Sequence, residues 1–115
     1  MPRLFHITTE VELTEARSRG EYRPRAFERE RFVHCSYLSQ VAATATRIFR
    51  GRADLVLLEI DSVQLHCEVV DENLEGGTET FPHVYGPIPL TAITRIHPFP
   101  CADDGTFALP RTLAG

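Results

Sequence analysis

The chain has 115 residues, enough for one domain with a single core. Its 43% hydrophobic and 24% charged residues are an ordinary globular composition, which argues against a disordered or low-complexity protein. A net charge of -4 argues against a broad nucleic-acid-binding face. No apolar run reaches the ~20 residues that span a bilayer, so no membrane partner and a cytoplasmic location are expected.

Arg3 to Thr8 is apolar and β-branched and predicts a strand. Thr9-Glu10-Val11-Glu12 fits a capping box and predicts a helix over Glu10 to Arg19, stopped by Gly20. Glu21 to Glu30 is a charged, proline-containing connection. A strand over Arg31 to Cys35 leads into a helix from Tyr37 to Arg50, where Val41, Ala42, Ala45, Ile48 and Phe49 recur at helical spacing. The nearly unbroken apolar run Leu55 to Ile60 predicts a strand covered on both faces, central in its sheet. Cys67 to Val70 is a shorter strand, followed by a polar loop over Asn73 to Thr80, suited to a lid. The prolines in Phe81 to Pro87 point to an edge or bulge rather than a sheet centre. Ala92 to Phe99 supplies the last strand. This order predicts an α+β class, with one domain over residues 1–100 and a loosely attached tail over 101–115.

Cys35, Cys67 and Cys101 are odd in number and lack C-x-x-C spacing, so they read as reduced thiols. All twelve basic residues are arginine, and six of them lie between Arg17 and Arg31, interleaved with Glu21, Glu28 and Glu30. An anionic ligand is conceivable there, but the interleaved carboxylates favour a solvated surface.

Three strand-like segments share a histidine followed two residues later by a hydroxyl: His6-Ile7-Thr8, His34-Cys35-Ser36 and His83-Val84-Tyr85. Period-two geometry puts each pair on one strand face, so three polar faces can line one cleft. It also turns Cys35 away from His34, against a Cys–His dyad. The competing explanation is helix capping by Thr8 or Thr9 and by Ser36. Three imidazoles leave a histidine-metal hydrolase as one alternative, but no H-E-x-x-H or H-x-H occurs and no metal ligands are assigned. His66 and His97 lack the pattern and read as surface or structural. Dinucleotide, P-loop and nucleophile-elbow fingerprints are absent.

The segments LFHITT, GEYRP, RFVHCS, LVLLEID and FPHVYGPI, in that order, resemble the bacterial family catalogued as domain of unknown function 952, over residues 3 to 99. That family is grouped with the ADP-ribosyltransferase-like superfamily. The resemblance implies a split mixed or antiparallel sheet with two main helices and a cleft that binds NAD without a glycine-rich fingerprint. By resemblance, His6 takes the place of a first-strand histidine that contacts an NAD ribose, with Thr8 beside it, and Tyr22, Ser36 or Tyr85 flank the nicotinamide. The expected catalytic residues are therefore His6, His34, His83 and Tyr85, and the expected ligand-binding residues Thr8, Tyr22, Ser36 and Gly86. NAD is expected as a substrate, with no other cofactor. The superfamily's usual glutamate motif is missing; Glu59 and Glu79 are the nearest substitutes. A non-catalytic ligand-binding or interaction domain is the other alternative.

Overall fold

In the computed structural model, residues 3–74 and 76–114 are described. Strand β1 (Arg3–Thr9) runs straight into helix α1 (Glu10–Arg19). Thr9 Oγ1 accepts the Glu12 amide at 3.2 Å, and Gly20 closes the helix at φ 91°, its N–H donating to the Ala16 carbonyl. Both ends are thus satisfied as the sequence predicts, with acidic residues in the first turn and basic ones in the last, matching the helix dipole. The connection that follows has structure of its own: β2 (Glu21–Tyr22) and the short α2 (Phe27–Glu30). Next come β3 (Val33–His34) and α3 (Val41–Phe49). The expected helix start at Tyr37 is instead a 3-10 turn over Leu38–Gln40. Its amide at Tyr37 is capped by Gln40 Oε1 rather than by Ser36.

The remaining strands are β4 (Leu55–Asp61), β5 (Val69–Glu72), β6 (Phe81–Val84), β7 (Ile88–Pro89) and β8 (Ile93–Pro98), with a terminal turn of helix, α4 (Arg111–Ala114). The strands form sheets in the orders β1-β4-β8, β2-β7 and β3-β6-β5, and every pairing is antiparallel. The class is α+β. Pairing sets Phe5 opposite Glu59 and His6 opposite Leu58, so successive residues of β1 face two different layers. On one side Leu4, Leu58 and Ile60 pack with Leu13, Ala16 and Tyr22; on the other, Phe5, Leu55 and Leu57 pack with Val41, Ala45, Phe99 and Phe107. Two cores on opposite faces explain why β4 is apolar along its length, and it is the central strand of its sheet as predicted.

Two expectations are corrected. The proline-containing segment is not an edge: β6 lies between β3 and β5. Pro82 is tolerated because its carbonyl accepts the Cys35 amide at 3.0 Å, one residue beyond the end of the two-residue β3, so the missing N–H costs no bond within that strand. The segment after Pro100, expected to be loose, is packed. Phe107 is buried, its amide donates to Thr46 Oγ1 of α3 at 2.9 Å, and Gly105 accepts from the Gly51 amide. Phe99 and Phe107 pair at 5.0 Å between ring centroids. Among the described residues no helix is long and apolar enough to cross a membrane.

Candidate functional site

The first sheet and the β3-β6-β5 sheet meet where Phe5 and Ser36 exchange backbone hydrogen bonds of 2.9 and 2.7 Å. This junction brings His6 to the chain of β3. His6 Nδ1 lies 2.6 Å from the carbonyl oxygen of His34, and Nε2 lies 2.7 Å from the Tyr22 hydroxyl. A carbonyl only accepts, so the ring proton is on Nδ1. Burial brings the His6 pKa down from 6.5 to about 4; the carbonyl bond opposes this and the charge of His34 adds to it. The neutral ring therefore accepts from Tyr22 O–H at Nε2. Tyr22 has one proton to give, so at its 2.8 Å contact with Thr8 the threonine hydroxyl is the donor. Burial pushes the Tyr22 phenol pKa far up, which keeps that proton in place.

His34 and His83 face each other across β3 and β6 in direct register. Their rings meet through Nδ1 of His34 and Nε2 of His83 at 3.2 Å. On β5, Val70 is opposite His83, which puts Glu72 on the same face one diagonal step away. Glu72 Oε1 accepts from His83 Nδ1 at 2.9 Å and from the Tyr85 hydroxyl at 2.5 Å. These bonds, Tyr85 first and His83 second, hold the Glu72 carboxyl below its usual pKa. Phe32 stacks on His83 at 4.1 Å and 15°, fixing the ring plane. Cys35, Val33 and Val84 lie on the opposite face in the core, so His34 and Cys35 do point apart.

His6, His34 and His83 line one cleft of about 500 Å³, together with Thr8 and Ser36. Phe32, Phe49 and Leu55 give it an apolar wall, and Ile48 and Leu74, each more than 40% exposed, stand at its mouth. Leu74 comes from the polar loop expected to act as a lid. Glu12, Glu30 and Arg52 also line the cleft. Glu12 Oε1 accepts the Arg25 amide at 2.8 Å, and Arg52 is held by a two-pronged contact with Asp54 at 3.0 and 2.6 Å.

Three of the expected residues fall outside the cleft lining. Tyr22 is fully buried and reaches the cleft only through His6 and Thr8. Tyr85 is 37% exposed and turned to Glu72. Gly86 is buried with its α-carbon against Cys67, where a Cβ would come within 2.8 Å of the cysteine Cβ; it serves packing. Neither suggested glutamate lines the cleft. Glu59 lies farther along β4 than the cleft's Leu55, bonded to Arg3 and His97, and the exposed Glu79 takes the Gln40 amide. Sequence reasoning missed Glu72, Glu12 and Glu30, although the first helical turn of Glu12 placed it close to Thr8. Among the described residues no three His, Cys, Asp or Glu groups meet as a metal-holding set.

A family model described as protein of unknown function DUF952 matches residues 7–96. No curated protein matches. The crystal structure of protein CC0527 from Caulobacter crescentus is 30% identical, with a TM-score of 0.82 over 93% of this chain and 94% of that one. The solution structure of the same Caulobacter protein is 29% identical with a TM-score of 0.76, covering 99% and 98% of the two chains.

Proposed function

This chain belongs to the DUF952 family, and from that premise we propose that its histidine-lined cleft binds NAD or an ADP-ribose-like nucleotide in the manner of an ADP-ribosyltransferase. One observation carries the reading: three histidines from three strands line a single cleft. Its volume lies in the range of small-molecule sites, about 300 to 1,000 Å³, and it combines an apolar, aromatic wall with a few polar groups. Phe32 and Phe49 suit the flat ring of a base, and the Glu12 and Glu30 carboxylates suit ribose hydroxyls. Cleavage of a glycosidic bond builds positive charge on the sugar, which a fixed carboxylate stabilises. Glu12 and Glu30 are the cleft's own candidates for that role, in place of Glu59 and Glu79.

The commitment of both His6 nitrogens favours a second reading, a nucleotide-binding domain without catalysis. In either case His6 acts by joining β1 to β3 and by presenting its ring edge, while Thr8, Ser36 and His34 carry the polar contacts. Calorimetric titration with NAD and ADP-ribose, on wild type and on His34→Ala, tests the proposal. It predicts saturable binding weakened at least tenfold by the substitution. Equal binding by both proteins, or none by either, would refute it. Release of nicotinamide by the wild type separates the catalytic reading from the binding one.

A further inference from the structure

On the reading that the cleft is the ligand site, we propose that it selects by positive charge, taking a flat cationic nitrogen ring such as the pyridinium of NAD and leaving phosphates outside. The polar atoms already committed inside the protein decide what a ligand can meet. Both His6 nitrogens are used, one on the His34 carbonyl and one on Tyr22. The Thr8 hydroxyl donates to Tyr22, so toward a ligand it can only accept. The half-exposed Arg52 gives Nε and Nη2 to Asp54, which balances its charge. The carboxylates are far less committed. Glu12 gives Oε1 to the uncharged Arg25 amide, while the Arg25 guanidinium is held at 2.7 Å by Glu15 instead. Glu30 meets Arg29 only at 3.9 Å, with both side chains open to water, and an exposed pair of that kind is worth little. His6 adds no opposing charge at neutral pH, because burial brings its pKa down to about 4.

Glu12 and Glu30 therefore leave an excess of negative charge on a wall that also holds Phe32 and Phe49. Carboxylates and aromatic rings favour the same guest, since both attract a cation more than a neutral ring. A phosphate brought among those carboxylates meets like charge and is repelled. Ser36 is an independent sign that a ligand belongs here. It is 2% exposed and lines the cleft; its backbone N–H and C=O both bond to Phe5, yet its hydroxyl has no hydrogen-bond partner among the described residues. Buried hydroxyls are as a rule satisfied, so this one is completed by what occupies the cleft. It can donate to a carboxamide or accept from one, the uncharged polar group that a nicotinamide ring carries.

Calorimetric titration of the full chain at about pH 8, above the range in which free imidazole titrates, compares NAD with NADH, which are alike in size but differ by one positive charge on the ring. NAD should bind about tenfold more tightly. Glu12→Gln combined with Glu30→Gln, which keeps the Oε1 that accepts the Arg25 amide, should bring the two affinities together. Nicotinamide and its ring-methylated cation, which carry no phosphate, repeat the comparison on the amide resonances of Thr8, Phe32 and Ser36 in the wild type. The cation should shift them at the lower concentration. Equal affinity for NAD and NADH, tighter NADH, or a preference that survives the double substitution overturns the inference and leaves the nucleotide reading standing. If neither dinucleotide binds but the methylated ring does so ahead of nicotinamide, this inference holds and the nucleotide reading falls. If neither dinucleotide binds and the methylated ring has no advantage, both are lost.

Discussion

The chain holds two histidine–glutamate contacts of nearly equal length, His83–Glu72 at 2.9 Å and His97–Glu59 at 3.0 Å, and their surroundings assign them different work. His97 and Glu59 are both buried on the α3 side of the first sheet. Every group there has a local partner: Arg3 takes the second oxygen of Glu59, and the other His97 nitrogen meets Thr112 Oγ1 at 2.8 Å. Burial alone would raise the Glu59 pKa, but His97 and then Arg3 outweigh it and hold it low. The result is a clasp that ties β8 and the C-terminal turn to β4. Glu72, by contrast, is partly open to solvent, and the ring it holds is joined to a second histidine on the cleft wall. A short His–Glu distance therefore identifies no site; what the other imidazole nitrogen faces does.

The largest expected effect separates the two contacts. His97→Ala leaves Glu59 buried with Arg3 as its one remaining side-chain partner among the described residues, at a cost of about 3 kcal/mol in urea unfolding, while nucleotide titration is unaffected. A stability loss below about 1 kcal/mol would show that the clasp is no stronger than a surface pair.

Next is the acid dependence carried by His6. Its pKa is about 4 in the fold and near 6.5 in the unfolded chain, so between these values the unfolded state binds more protons. Stability from this residue is complete above pH 6.5 and falls as the pH drops toward 4, by roughly 2 to 3 kcal/mol. Unfolding curves across that window should show the slope in wild type and a shallower one in His6→Asn.

Tyr22→Phe is a smaller perturbation. It strips the hydroxyl partner from His6 Nε2 and Thr8, with an expected loss of about 1 to 2 kcal/mol, measured by the same unfolding. Least visible in stability is Glu72→Gln, expected to cost less than about 1 kcal/mol in the same unfolding because Glu72 is partly open to solvent. A midpoint shift as large as that of His97→Ala would make the two contacts alike.

The parts of the fold that follow from contiguous residues were legible. Thr9 and Gly20 marked both ends of α1, the apolar run of β4 announced a strand buried on two sides, and alternation placed His6 with Thr8 and His34 with Ser36. What depended on pairing between distant segments was not. No local pattern shows that β3 is too short to need the Pro82 amide, so β6 read as an edge. Glu72 meets His83 only through the β5–β6 register, with a polar loop between them in sequence. The tail read as loose because Phe99 and Phe107 look like isolated aromatics until α3 supplies the surface that buries them. Tyr85 and Gly86 were drawn into the site by their nearness to His83, yet one points to Glu72 and the other packs on Cys67.

The most direct test of the cleft is an amide-resonance titration of the labelled protein with NAD and with ADP-ribose. Shared, saturable shifts at Thr8, His34, Ser36 and His83, with His97 and Thr112 unmoved, are the predicted result. No shift at millimolar nucleotide, or shifts centred on the Glu59–His97 face, would contradict it.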